Sequence, residues 1–304
     1  MKSVPHIVQY QGSKRILAPQ ILQYMQPHFS RLVEPFAGMA AITIACAVGR
    51  RADEYVVNDL NEPLVGMLKS AVEAPLELLE RYSSVWSEQF SYAQGSVEHF
   101  YKVRADFNDG NRSPANMLYL LARCVKGSVR YSSSGQFNQS PDKRRHGTSP
   151  QKLRPNVLSI SWYLNRHTTF HSKDYREVLE DTRPGDVVYM DPPYQGVSNV
   201  RDHRYFSGIK FDDFVVAIDK LNSRGVDFLI SYDGYCGERY YGEELPEELG
   251  LQKVLLNAGL SSQGLLLGRK EITYEALYIS RGLQRLSLPQ KAFSQETFFN
   301  LMEA

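Results

Sequence analysis

Seven short apolar runs recur along this chain, most of them separated by helix-patterned stretches, and this alternation limits its architecture more than any other feature. The runs are Arg31–Phe36, Glu54–Asp59, His167–Ser172, Asp186–Asp191, Asp227–Tyr232, Lys253–Asn257 and Tyr274–Ser280. Between the fifth run and its predecessor, Phe211–Arg224 places apolar residues at helical spacing. Strands alternating with helices predict an α/β fold built on a parallel or mostly parallel sheet. The last two runs lie close together, which predicts an antiparallel pair at one edge. In such sheets the loops at the carboxyl ends of the strands gather ligands. That places Gly38, Asp59, Asp174 and Asp191 along one rim.

The alternation breaks from about Pro63 to Pro155. Leu76–Trp86, Ser96–Phe107 and Ala115–Cys124 read there as helices. Overall the 304 residues carry a net charge of only +1, but Arg123 to Arg154 holds eight Lys or Arg against one acid, Asp142. This segment is therefore about +7 and the remainder is net acidic. Within it, Arg130-Tyr-Ser-Ser-Ser-Gly-Gln-Phe-Asn138 alternates polar and aromatic residues around a Ser-Ser-Gly turn, which predicts a hairpin. Lys143, Arg144, Arg145 and His146 follow it. Two readings are open: a solvated basic loop, or a hairpin lying on phosphates while a few side chains reach base edges.

Residues 191–194 read Asp-Pro-Pro-Tyr, directly after an apolar run. Pro-Pro marks turns in any case, so a tight turn closing a buried strand is one reading. The other is chemical. An exocyclic amine on adenine is a poor nucleophile because its lone pair is delocalised into the ring. Its hydrogens must be drawn towards acceptors, and the Asp191 carboxylate and the Pro192 carbonyl are suited to that. Pro192 and Pro193 stiffen the backbone that aims the carbonyl, and the ring of Tyr194 can stack on a base lifted from a duplex. Upstream, Leu32-Val-Glu-Pro-Phe-Ala-Gly-Met-Ala40 runs from a strand through Gly38 into a helix-like stretch ending near Val48. This is either an ordinary strand-turn-helix or a nucleotide-binding turn. Asp59 follows about 20 residues past Gly38, the spacing at which an acid meets ribose hydroxyls. Neither Gly-x-Gly-x-x-Gly nor a Walker-type Gly-Lys-Ser/Thr is present, which disfavours dinucleotides and nucleoside triphosphates. Near the N-terminus, Gln9-Tyr-Gln-Gly-Ser-Lys-Arg15 combines an aromatic, a glycine and two cations.

Three widely separated cysteines, Cys46, Cys124 and Cys236, form neither a disulfide framework nor a metal-ligand spacing. No stretch approaches 18 uninterrupted apolar residues. A soluble cytoplasmic protein is expected, with 42% apolar content sufficient for a sizeable core.

The order of these motifs resembles the Dam-type family of DNA adenine-N6 methyltransferases. That family opens with Trp/Tyr-x-Gly-Gly-Lys, continues with Glu-Pro-Phe-x-Gly-x-Gly and a strand ending in Asp, and carries Asp-Pro-Pro-Tyr. It also carries an Arg-Tyr-x-x-x-Gly-x-Phe-Asn hairpin. The resemblance spans roughly residues 8 to 280. It implies a Rossmann-like, seven-stranded methyltransferase sheet formed by residues 1–62 and 156–304. An inserted, mainly helical target-recognition domain, 63–155, would carry the basic hairpin. It implies S-adenosylmethionine as methyl donor and no metal. Tyr10, Lys14, Glu34, Phe36, Gly38, Asp59 and Asp174 would hold the donor. Asp191, Pro192, Pro193 and Tyr194 would act on a flipped adenine in double-stranded DNA. Arg130, Tyr131, Gln136, Asn138, Lys143, Arg144 and Arg145 would meet the DNA. A cognate restriction endonuclease is a candidate partner. Asp174 also fits a helix N-cap, and the two roles are compatible.

This sequence departs from the family in three places. Ser13 and Ala40 stand where the family usually has glycine, and Ala40 suits a close approach only if its φ is negative. Members that read GATC usually continue Phe-Asn-Val-Pro-Phe-Gly, whereas this chain continues Phe137-Asn-Gln-Ser-Pro-Asp-Lys143, so that target is not carried over. The rival readings are cytosine-N4 methylation, which more often uses Ser-Pro-Pro-Tyr, and an inactive DNA-binding protein with the same fold. Ser231–Tyr241 reads equally as a border of the base pocket or as a surface loop, and Arg269 as a phosphate contact near the base.

Overall fold

The computed structural model describes residues 4–193, 209–236, 239–241, 244–260 and 272–284. Five parallel strands form its spine: β1 (Phe29–Glu34), β2 (Ala52–Asn58), β3 (Thr168–His171), β4 (Asp186–Met190) and β5 (Asp227–Cys236). β6 (Arg239–Tyr241) is a short antiparallel partner of β5. β7 (Gln252–Leu260) and β8 (Ile272–Ile279) complete the sheet, with β8 antiparallel to both β5 and β7. The order is β3-β2-β1-β4-β5-β8-β7. All seven expected strands are present, the antiparallel pair falls at one edge as expected, and β6 is additional. Since β2 lies on one side of β1 and β4 on the other, the strand order reverses between β1 and β4. In an open α/β sheet the crevice outside the carboxyl ends at such a switch point is where ligands bind.

Alternation along the buried strands divides the core into two layers. Leu32, Val187, Tyr189, Leu229 and Leu277 face one layer, and Val33, Val188, Met190, Ile230 and Tyr278 face the other. On the second face lie α8 (Tyr175–Glu180) and α9 (Phe211–Ser223). The first face carries α1 (Ala18–Ile21), α2 (Ala41–Val48), α3 (Glu62–Glu73), α4 (Pro75–Ser91), α5 (Ser96–Asn108), α6 (Pro114–Arg123) and α7 (Pro150–Leu164). Three of these start on a side-chain cap followed by proline: Asn61 accepts from the Leu64 N–H, Ser113 from Asn116 and Ser149 from Lys152.

The expected boundaries at 63 and 156 fall inside α3 and α7. The apolar layer of these helices is continuous with that of the sheet, running from Leu32 and Tyr189 through Met67, Tyr82 and Phe107 to Phe137. The hairpin around 130–138 is a loop closed by single bridges, Tyr131 with Phe137 and, outside it, Cys124 with Pro141. No helix among the described residues is long and apolar enough to cross a membrane.

Candidate active site

A cleft of about 680 Å³ opens at the switch point. It is lined by Tyr10, Lys14, Glu34, Phe36, Gly38, Asp59, Asp174, Asp191, Pro192 and Pro193, so every described residue expected at the donor site or at the Asp-Pro-Pro turn meets there. Tyr194, expected to stack on the base, lies outside the described residues, as does Arg269.

The loop after β1 is built by hydrogen bonds from both sides. Gly38 has φ +50, and a β-carbon there would touch the Tyr10 ring at 3.4 Å, so Tyr10 covers the glycine. The Gly38 N–H donates to Asp59 Oδ2 at 2.9 Å, and the Asn61 N–H donates to Asp59 Oδ1 at 2.9 Å. Burial pushes the Asp59 carboxyl above the usual range, while these two bonds pull it back. Asn58 clamps the neighbouring loops: its Nδ2 donates to the Pro35 and Lys173 carbonyls, and its Oδ1 accepts from the Lys173 N–H. Phe36 is held by Tyr175, with ring centroids 5.1 Å apart, and by Phe214 at 6.3 Å.

Glu34 has an internal partner. Its Oε2 accepts from the Thr43 N–H at 3.0 Å and the Thr43 hydroxyl at 2.6 Å, serving a first-turn N–H of α2 that no local side chain caps. Burial, first of all, pushes its carboxyl up to about 8; the Thr43 bonds oppose this and the nearby Asp191 charge adds to it. Ala40, at the N-cap of α2, has φ +52. The negative φ that alanine would prefer is not adopted; the loop imposes the glycine conformation on it. Asp174 is the N-cap of α8, accepting from the Arg176 N–H at 2.9 Å. Its carboxylate also takes the Arg176 guanidinium at 2.8 and 3.1 Å, and these bonds hold it below the usual range.

Lys14, expected to touch the donor, lines the cleft and also pairs with acids there. Its ammonium is buried, 3.1 Å from Asp191 Oδ1 and 3.0 Å from Glu275 Oε2 on β8. Glu275, like Asn58 and Asn61, was not singled out in the sequence. Its one visible signal was an acid in the otherwise uncharged run Ile272–Ile279.

The residues expected to meet DNA divide. Arg130, Gln136, Asn138, Lys143, Arg144 and Arg145 are exposed, with Arg145 2.9 Å from Asp142. Tyr131 corrects the expectation: it is buried, packs edge-to-face on Phe137 at 6.0 Å, and donates its hydroxyl to Asn61 Oδ1 at 3.0 Å. The alternation that put it on a hairpin pointed it inwards. Arg123, counted in the basic segment, is buried as well, with its guanidinium bonded to Gln89 Oε1 and the Asp142 carbonyl. Beside them the Gln11 N–H donates to the Gly127 carbonyl at 3.0 Å, fastening the N-terminal loop to the base of the basic segment. Among the described residues no three His, Cys, Asp or Glu are grouped to hold a metal ion.

The family model described as D12 class N6 adenine-specific DNA methyltransferase matches residues 10–254. The type II methyltransferase M1.LlaDCHI of Lactococcus lactis subsp. cremoris is 26% identical over 256 residues, covering 80% of this chain and 84% of its own. The retron Ec67 DNA adenine methylase of Escherichia coli is 30% identical, covering 68% of this chain and 67% of its own. The type II methyltransferase M.MjaIII of Methanocaldococcus jannaschii is 24% identical over 91% of this chain and 99% of its own.

Proposed function

This chain belongs to the D12 class N6 adenine-specific DNA methyltransferases and so methylates the adenine amino nitrogen of DNA, and from that premise we propose how its cleft is used. S-adenosylmethionine is the donor, and when bound it supplies an electrophilic methyl group on a sulfonium. The residues present fit it. The positive φ of Gly38 opens the loop to close approach, the Tyr10 and Phe36 rings offer apolar contact, and the acids facing the cleft suit a cation. Asp59 takes the ribose hydroxyls, since each carboxylate oxygen has acceptor capacity beyond its one backbone bond. Asp174 takes the adenine end, while Glu34 acts through α2.

The target adenine enters from duplex DNA, flipped and stacked by Tyr194. Asp191 and the Pro192 carbonyl accept its amino hydrogens, returning the lone pair to nitrogen for direct, in-line transfer. Segment 63–155 reads the target. Arg130, Gln136 and Asn138 face base edges, and Lys143, Arg144 and Arg145 face phosphates. No metal takes part. The proposed setting is the cytoplasm. The candidate partner is a restriction endonuclease of the same recognition sequence, tested by whether DNA methylated by this enzyme resists cleavage.

The observation that carries this reading is that Asp191 and the Gly38–Asp59 loop, from strands on either side of the topological reversal, open into one cleft. Transfer of labelled methyl to unmethylated DNA, followed by nucleoside mass analysis, tests it. Asp191→Ala is expected to abolish transfer while calorimetric binding of S-adenosylmethionine survives. Asp59→Ala is expected to weaken that binding by roughly 1.5–3 kcal/mol. Near-normal turnover in the first variant, or unchanged affinity in the second, would remove the corresponding assignment.

A further inference from the structure

The ammonium of Lys14 touches two carboxylates, and the reaction described above uses only one of them. Asp191 leaves β4 at the switch point. Glu275 comes from β8, two strands away, with β5 between them. A specific irregularity aims it. The pairing of β5 with β8 passes from Ser231↔Leu277 to Gly234↔Glu275, so three steps along β5 match two along β8. Bulges of this kind bend a strand and redirect a side chain. Residue 234 must be small for the two strands to close here, because a β-carbon on Gly234 would sit 2.3 Å from the Tyr274 carbonyl oxygen. On the same face, the Tyr189 hydroxyl and Ser231 Oγ are 2.8 Å apart and tie β4 to β5 just before Asp191 and the bulge.

We propose that Glu275 is a positioning residue for methyl transfer, acting through Lys14 on the Asp191 carboxylate. The inference rests on Asp191 being the acceptor for the adenine amine. Anchored by β8, the ammonium meets Asp191 at Oδ1 and fixes the plane of that carboxylate relative to the Pro192 carbonyl. An ammonium divided between two carboxylates also withdraws less charge from Asp191 than one given to it alone, so Asp191 remains a strong acceptor. Without Glu275, the ammonium loses its anchor on β8, and the orientation and acceptor strength of Asp191 suffer.

The test is single-turnover methyl transfer to unmethylated DNA at saturating S-adenosylmethionine. The enzymes are wild type, Glu275→Gln, Glu275→Asp, Lys14→Met and the Lys14→Met/Glu275→Gln double variant. Glu275→Gln is expected to slow transfer roughly 10–100-fold, the scale of a small misplacement of reacting groups, with donor affinity by calorimetry within about twofold of wild type. In the Lys14→Met background the same substitution is expected to change the rate less than about twofold. A wild-type rate in Glu275→Gln, or full multiplication of the two effects in the double variant, overturns the proposal. Should Glu275→Gln fail to fold, Glu275→Asp keeps the charge but retracts it by one methylene, and a wild-type rate there overturns the proposal equally. Asp191→Ala, run alongside, separates the two ideas: if it retains turnover, the reading of Asp191 itself fails.

Discussion

Ala40 holds a conformation that its side chain disfavours. A left-handed φ costs an L-residue about 1–2 kcal/mol, and the Gly38–Asp59 bond and the start of α2 hold it there. Ala40→Gly is expected to stabilise the protein by about 1 kcal/mol, since the extra freedom of glycine in the unfolded chain offsets part of the relief. A rise in melting temperature of about 2 °C would register it; an unchanged or lower value would mean the loop does not strain this residue. Glu34 carries a second residue-scale consequence. Its carboxyl ionises near 4.5 when unfolded and near 8 when folded. Between those values the native state keeps a proton that the unfolded chain gives up, so this group makes stability fall as pH rises through the window and level off above it. Glu34→Gln can still accept from Thr43 through its amide oxygen and has no such slope. Its stability relative to wild type is therefore expected to grow from pH 5 to pH 8 in denaturant titrations. A difference constant across that range would show that the carboxylate ionises normally in the fold.

At the scale of elements, the strands were legible because burial on both faces writes near-continuous apolar runs, as in Asp186–Met190. The helices bounding the 63–155 segment were not. Pro63 and Pro155 looked like breaks, yet Pro63 sits in the first turn of α3, where a missing N–H costs nothing, and Pro155 lies inside α7. β6 pairs only three residues in a Gly- and Tyr-rich stretch and leaves no periodic trace. The residues that the sequence brought to the cleft lie in short motifs at the carboxyl ends of strands or in the N-terminal loop. Glu275 could not be read this way, because its placement depends on a bulge in a different strand and a partner 261 residues upstream. Gly127 is a comparable case. It has φ +56, and a β-carbon there would lie 1.9 Å from the Gln9 carbonyl oxygen, which is backbone and cannot swing away. Gly127→Ala is expected to destabilise the protein by more than about 2 kcal/mol and to loosen the N-terminal loop that carries Tyr10 and Lys14. Denaturant unfolding together with donor-binding calorimetry would show both; a fully stable variant would mean the two loops are not in contact.

Across the whole molecule, the basic segment is joined to the cleft, since Tyr131 and the first turn of α3 share the amide oxygen of Asn61. The exposed cations beyond it make a claim on DNA that differs from that of the reading edge. Neutralising Lys143, Arg144 and Arg145 is expected to weaken binding to all sequences alike and flatten the log-affinity against log-salt slope by about 0.9 per lost phosphate contact. Replacing Arg130, Gln136 or Asn138 is expected to cost about 1–3 kcal/mol on the preferred site and little on scrambled duplex. Titrations at several salt concentrations compare the two sets; a triple-cation variant that loses specificity but keeps its slope would reverse the assignment. The sheet itself has one further consequence. At its centre Leu32 pairs with Val187, 155 residues later in the chain. At ordinary synthesis rates of ~5–20 residues per second, roughly 8–30 s separate the making of those two strands. Until β4 emerges, the inner edge of β1 has no neighbouring strand. A growing chain therefore passes through a long interval with an unpaired strand edge open to association, and the cleft that defines the enzyme is among the last parts of the molecule to come into being.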